Sequence, residues 1–156
     1  MFEVVTESTT SVVEVYPEAH DAAIPASGSV VAYSPSGEVL ATITAAVDAT
    51  SSTVTVASAD QQSLTLGDVT GVVVGRRYQV SRGSGEVAIV VVEAITGSVV
   101  TIADPTGFDP TDATIKGLRV FATLTAAATA TKGVNHSLVW SVVQGSETRV
   151  YSDVYH

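Results

Sequence analysis

"YSPSGEVLATI", from Tyr33 to Ile43, returns in altered form as "SRGSGEVAIVV", from Ser81 to Val91. The shared Ser-Gly-Glu-Val is either a glycine loop that holds a ligand or a corner between strands. A phosphate-cradling loop leads into a helix whose N-terminus faces the anion. Neither copy leads into a helical pattern. Pro35-Ser36-Gly37 separates "SVVAY" from "EVLATI", and Arg82-Gly83-Ser84-Gly85 separates "RYQVS" from "EVAIVVV". Each is a short glycine-containing connection between two strand patterns, which is the signature of a hairpin. Glycine fits because tight turns need positive φ. Both loops are read as corners, and the chain as a hairpin protein.

The flanking segments carry the same message. "EVLATITAAVD" places Val39, Ala41, Ile43, Ala45 and Val47 on one face, against Glu38, Thr42, Thr44 and Asp48. That period of two belongs to a half-buried strand. "LRVFATLTAAA" repeats it from Leu118, and "NHSLVWSVV" sets His136, Leu138, Trp140 and Val142 on one face. In "TRVYSDVY", Arg149, Tyr151, Asp153 and Tyr155 alternate with Val150, Ser152 and Val154. "EVAIVVVEAI" is apolar at both parities and predicts a strand covered on both faces. No segment reads as a helix. Strands are expected at 38–47, 86–95, 117–127, 137–143 and 148–155, with Trp140 in the core.

Composition bounds the function. The 156 residues suit one domain, or one domain with a modest insertion. A chain of this size buries roughly 70% of its unfolded surface and needs no metal or disulfide to fold. It has no cysteine, which excludes thiol catalysis and thiolate metal sites and fits synthesis in a reducing cytoplasm. No apolar run is long enough for a membrane helix, and "MFEVVTESTT" lacks the basic start and apolar core of a secretory signal. Charge is unevenly spread. The first 75 residues hold nine acids and no base, whereas the rest hold seven acids and seven bases. Phosphate backbones repel such a chain, so no nucleic acid is expected to bind through a basic face. The surplus acid serves solubility, or sets orientation in an assembly.

No stretch carries recognisable catalytic chemistry. His20, His136 and His156 stand far apart, none with a second ligand at metal-site spacing. "ADPTGFDPTDAT" offers Asp104, Asp109 and Asp112 but lacks the spacing and closing Glu of an EF-hand loop. It reads as a surface loop. No serine sits in Gly-x-Ser-x-Gly. Asn135-His136-Ser137 matches a glycosylation acceptor only in a secreted protein, and Arg76-Arg77 is an isolated basic pair. Metal, cofactor and catalytic residues are therefore expected to be absent.

The chain divides into an arm at 1–25, long strands at 26–57 and 117–156, and a turn-rich group at 58–116. The long strands predict an all-β, immunoglobulin-like antiparallel sandwich, with the middle group inserted as a small β-barrel or extra sheet. Phe2, Val4, Val5, Val12, Val13 and Val15 of the arm are apolar with no evident place in the later hairpins. They form either one strand of the chain's own sheet or a segment that adds to a neighbouring subunit. Tyr151 and Tyr155, sharing a strand face, complete the candidate interface.

"GRRYQVSRGSGEVAIVVVEAITGSVVTIADP" resembles a segment of small all-β structural proteins of tailed bacteriophages. In these a G-x-x-Y-x-V strand, a glycine turn, a Gly-Glu strand and an I-x-G-x-x-V-x-I hairpin build a small barrel. "ASGSVVAYSPSGEVLATITAAV" and "HSLVWSVVQGSETRVYSDVY" are similar to the outer strands of immunoglobulin-like virion modules. The resemblance covers most of residues 26–156 and implies a virion component, with no catalytic residue or cofactor. Its partners would be copies of itself and other virion proteins, whether capsid, portal or adaptor. Its place would be the head-to-tail connector or collar, or the capsid surface as a decoration protein. A carbohydrate-binding or adhesin module is the reading from another class, and would need exposed aromatics to stack on sugar rings.

Overall fold

The computed structural model describes residues 2–3, 11–17, 23–83, 85–124 and 136–155. Among them the chain is all strand and turn, with no helix. The strands are β1 (Phe2–Glu3), β2 (Ser11–Val15), β3 (Pro25–Tyr33), β4 (Val39–Val47), β5 (Ser51–Ala57), β6 (Ser63–Leu66) and β7 (Arg77–Arg82). After them come β8 (Glu86–Thr96), β9 (Val99–Ile102), β10 (Thr114–Gly117), β11 (Val120–Leu124), β12 (His136–Gln144) and β13 (Glu147–Tyr155). The chain divides into two units: Met1–Pro17, Pro25–Val47 and Val120–His156 form one, and Glu18–Ile24 with Asp48–Arg119 the other.

The first unit is a seven-stranded sheet in the order β1-β13-β12-β3-β4-β11-β2. Its pairings are antiparallel except β1 with β13. Alternation in β12 is complete, with His136, Leu138, Trp140, Val142 and Gln144 all buried. Trp140 lies opposite Tyr151 on one side and Val30 on the other. This one sheet forms both layers of a sandwich. In a flat sheet β3 and β11, with β4 between them, would lie roughly 10 Å apart. Instead a Cβ placed on Gly28 of β3 would fall 2.9 Å from Val120 Cγ1 of β11. The turn-over happens along β4: residues Val39–Ala45 pair with β3, while Ala46 and Val47 pair with β11. Folding over in this way lets Val13, Val120, Ala122 and Leu124 close on Val30, Ala32, Leu138 and Trp140 as one core.

The second unit is a closed barrel, β10-β5-β6-β9-β8-β7. Closure comes from Ile115 of β10, paired with Ser52 on one side and Val80 on the other. Strands β6, β9 and β10 have four residues each, two of them buried. Such short strands bury too little alone, and closing the ring removes the edges they would leave open. Inside lie Val54, Leu64, Leu66, Tyr78, Val80, Val90, Val92, Val100, Ile102 and Ile115, among others. The Tyr78 hydroxyl accepts from Val73 N at 2.8 Å and donates to Gly71 O at 3.3 Å, pinning the 67–76 loop.

The two quoted loops are corners. Gly37 (φ 87°) ends the β3–β4 turn, where its N–H donates to Ser34 O at 2.9 Å. Gly83 and Gly85 (φ 52° and 101°) turn β7 into β8. Three expectations need correction. The insertion begins at Asp48 rather than 58, because β5 buries Val54 in the barrel and pairs with β10. "EVAIVVVEAI" is covered on one face only, since Val90 and Val92 point inward and Ile89 is exposed. Third, Val13 lies in the chain's own core, because β2 pairs with β11 of the same chain. The insertion leaves and returns at one point. Val47 and Val120 are register partners, and Asp48 N donates to Arg119 O at 2.8 Å.

Two outcomes are expected. Trp140→Ala should cost about 3–5 kcal/mol in denaturant melts, because the indole is 1% exposed. Burial raises the Tyr78 phenol above its ordinary 10.0, and its bond to Val73 N offsets part of that. A raised folded value means the barrel keeps this stabilisation below pH 10 and loses it as pH climbs through the folded value. Tyrosinate absorbance should show a step above pH 10 that Tyr78→Phe removes.

Candidate assembly surfaces

The candidate metal residues do not converge. His20 and His156 lie outside the described residues, while His136 is buried at the start of β12. Asp104, Asp109 and Asp112 are exposed on the loop before β10. Among the described residues no three His, Asp or Glu side chains gather as a metal site. Of the three loop acids, Asp109 serves a turn, as Asp48 and Asp68 do elsewhere. Asp48, Asp68 and Asp109 each accept, through Oδ1, the backbone N–H two residues on: Thr50 at 2.9 Å, Thr70 at 2.8 Å and Thr111 at 3.0 Å. These are Asx turns, written in the sequence as Asp-x-Thr. The bonds from Thr70 and Thr111 hold the Asp68 and Asp109 carboxyls below the usual range. Sequence reading missed this role although the spacing was visible.

The proposed interface residues separate. Phe2 is the register partner of Val154, and Val4 and Val5 lie outside the described residues. Within β2, Val13 is buried and Val15 packs on the same core, while Val12 stands 56% exposed on the sheet's last strand. Tyr151, the register partner of Trp140, packs against the core and is not free to stack on a sugar. Tyr155 is the register partner of His136.

A surface that the sequence reading did not single out lies on the sheet's outer side. Because β12 turns its even-numbered residues inward, register fixes what faces out across β13, β12, β3 and β4. Four rows result: Val154–Ser137–Tyr33–Val39, Ser152–Val139–Val31–Thr42, Val150–Ser141–Ser29–Thr44, and Thr148–Val143–Ser27. None of these fifteen positions is charged. A soluble surface of that size would carry about four or five charges. Val150 is 64% exposed and Val39 59%, at opposite parts of the face. In strand β13, Glu147, Arg149 and Asp153 take the inward parity and Val150 faces outward. Arg149 Nη2 pairs with Glu147 Oε2 at 3.4 Å. Inward charges on a strand near a sheet edge discourage edge-to-edge pairing.

No known protein family, curated protein or solved structure matches this chain.

The Asp-x-Thr turns predict indifference to calcium. Millimolar calcium or a chelator should leave the melting temperature unchanged. A stoichiometric rise abolished by changing Asp104, Asp109 and Asp112 together would overturn that reading.

Proposed function

We propose that this chain is a non-enzymatic structural subunit of a tailed-bacteriophage virion, acting at the head-to-tail connector or collar through contacts between subunits. The observation that carries the assembly reading is the fifteen-position uncharged face on a chain of net charge −9. An acidic protein built only to stay dissolved has no use for a broad neutral sheet face, whereas a subunit contact does. Placement in a virion rests on the resemblance of the β7–β9 segment and the outer strands to phage structural modules. Partners on this reading are further copies and neighbouring virion proteins. A capsid decoration protein is the same reading at another position in the particle.

Mass spectrometry of purified particles tests the proposal. The chain should be present at a fixed stoichiometry matching the symmetry of the neck. Absence from particles would refute the virion role, and hundreds of copies would move it to the capsid surface. The N-terminal arm makes a second prediction. Removing residues 1–24 takes β2 off β11 and Val13 out of the core. The truncated chain should lose at least about 1.5–3 kcal/mol, the worth of one buried valine. A truncated chain that melts like the full one but no longer enters particles would instead make the arm an intersubunit strand.

A further inference from the structure

We infer that the uncharged outer face of β13, β12, β3 and β4 packs against the same face of a second copy, so that the assembling unit is a twofold pair. The inference deepens the reading of the chain as a repeated subunit and rests on it for biological meaning.

Symmetry selects the occupant. In a twofold contact, residues near the axis meet their own counterparts, so a charge there would face an identical charge. Like charges brought together at an interface are strongly disfavoured. Two copies that each carry −9 therefore repel, except where the surface is neutral. The outer face meets that condition at every one of its fifteen register positions. A different protein would gain orientation from complementary charge, and the face offers none to read.

The side chains suit sheet-on-sheet packing. Val150, Val139 and Val31 alternate with serine and threonine, all short enough for two sheets to approach to about 10 Å. Hydroxyls between the valines can pair across the contact and leave no buried polar group unmatched. The competing route, edge to edge, is opposed by the inward charges of β13. A patch of fifteen residues is smaller than the about 20–30 per side of a standard interface. The pair should be weak in dilute solution and reinforced by the crowding of subunits in a particle.

Sedimentation of the purified full chain over a concentration series tests this without any particle. Reversible monomer–dimer exchange in the micromolar range is expected. Val150→Glu should weaken it at least about tenfold. Val56→Glu, at an equally exposed valine of the barrel (58%), should leave it unchanged. Circular dichroism checks folding, and Thr42→Glu on another strand of the face replaces Val150→Glu if that variant unfolds. The chain has no cysteine, so Ser141→Cys near the middle of the face should give an oxidised dimer, and Val56→Cys should not. A chain that stays monomeric throughout overturns the inference, as does a dimer equally sensitive to both glutamates. A face left unpaired in the pure chain but shielded in particles would belong to another protein, which also overturns it. Failure to find the chain in particles, with the pair intact, would sink the virion reading alone.

Discussion

A single sheet can serve as both layers of a sandwich only if its halves come within side-chain reach, and here they do so at Gly28. The position would put a Cβ 2.9 Å from Val120 and 3.5 Å from the Ala45 Cβ. Any larger residue must displace the Val120 side chain or the strand that carries it. That displacement would open the space over Trp140 and strip β2 and its Val13 from the core they help to close. Strand β4 carries the fold-over because it pairs with both layers along its length. The packing of the first unit therefore depends on one missing side chain and one shared strand.

Charge is organised around the same sheet. Glu147, Arg149 and Asp153 occupy the inward parity of β13, which guards the edge, while the outer face is left to valine, serine and threonine with Tyr33. A chain with surplus acid stays apart from its copies by default, so a neutral face becomes the place where approach is permitted. The core thus takes one side of these four strands, and the proposed contact would take the other. The barrel contributes differently: its ring has no free edge, and its Asp68 and Asp109 are engaged in Asx turns.

Much of this was legible in the sequence. Long alternating segments gave β4, β12 and β13 nearly to the residue, since each has enough positions for period two to show. Four-residue strands such as β6, β9 and β10 have only two inward positions, too few to separate strand from turn. Strand β5 joins the barrel although "SSTVTVA" alternates as the sandwich strands do, because alternation names no partner. Parity also leaves direction open. In β13 the tyrosine and charged row faces inward, a choice made by the register with β12. The candidate surface stayed invisible for the same reason: it exists only once four strands lie side by side. The apolar arm was noticed, but its two possible hosts, its own sheet or a neighbour's, look alike in sequence.

The point where the barrel enters and leaves the sheet bears on how the chain reaches its fold. Strands β4 and β11 are hairpin partners separated by the 72 residues of Asp48–Arg119. Closing a flexible loop of that length costs about 3 kcal/mol more than closing a two-residue turn. A barrel that has already formed removes that cost, because Asp48 and Arg119 are then hydrogen-bonded to each other at 2.8 Å. The barrel thereby acts as a preassembled turn, and the sandwich can nucleate β4 against β11 as though they were neighbours in the chain. Folding becomes hierarchical, because the hydrogen bond between Asp48 and Arg119 holds the two ends of the inserted segment together.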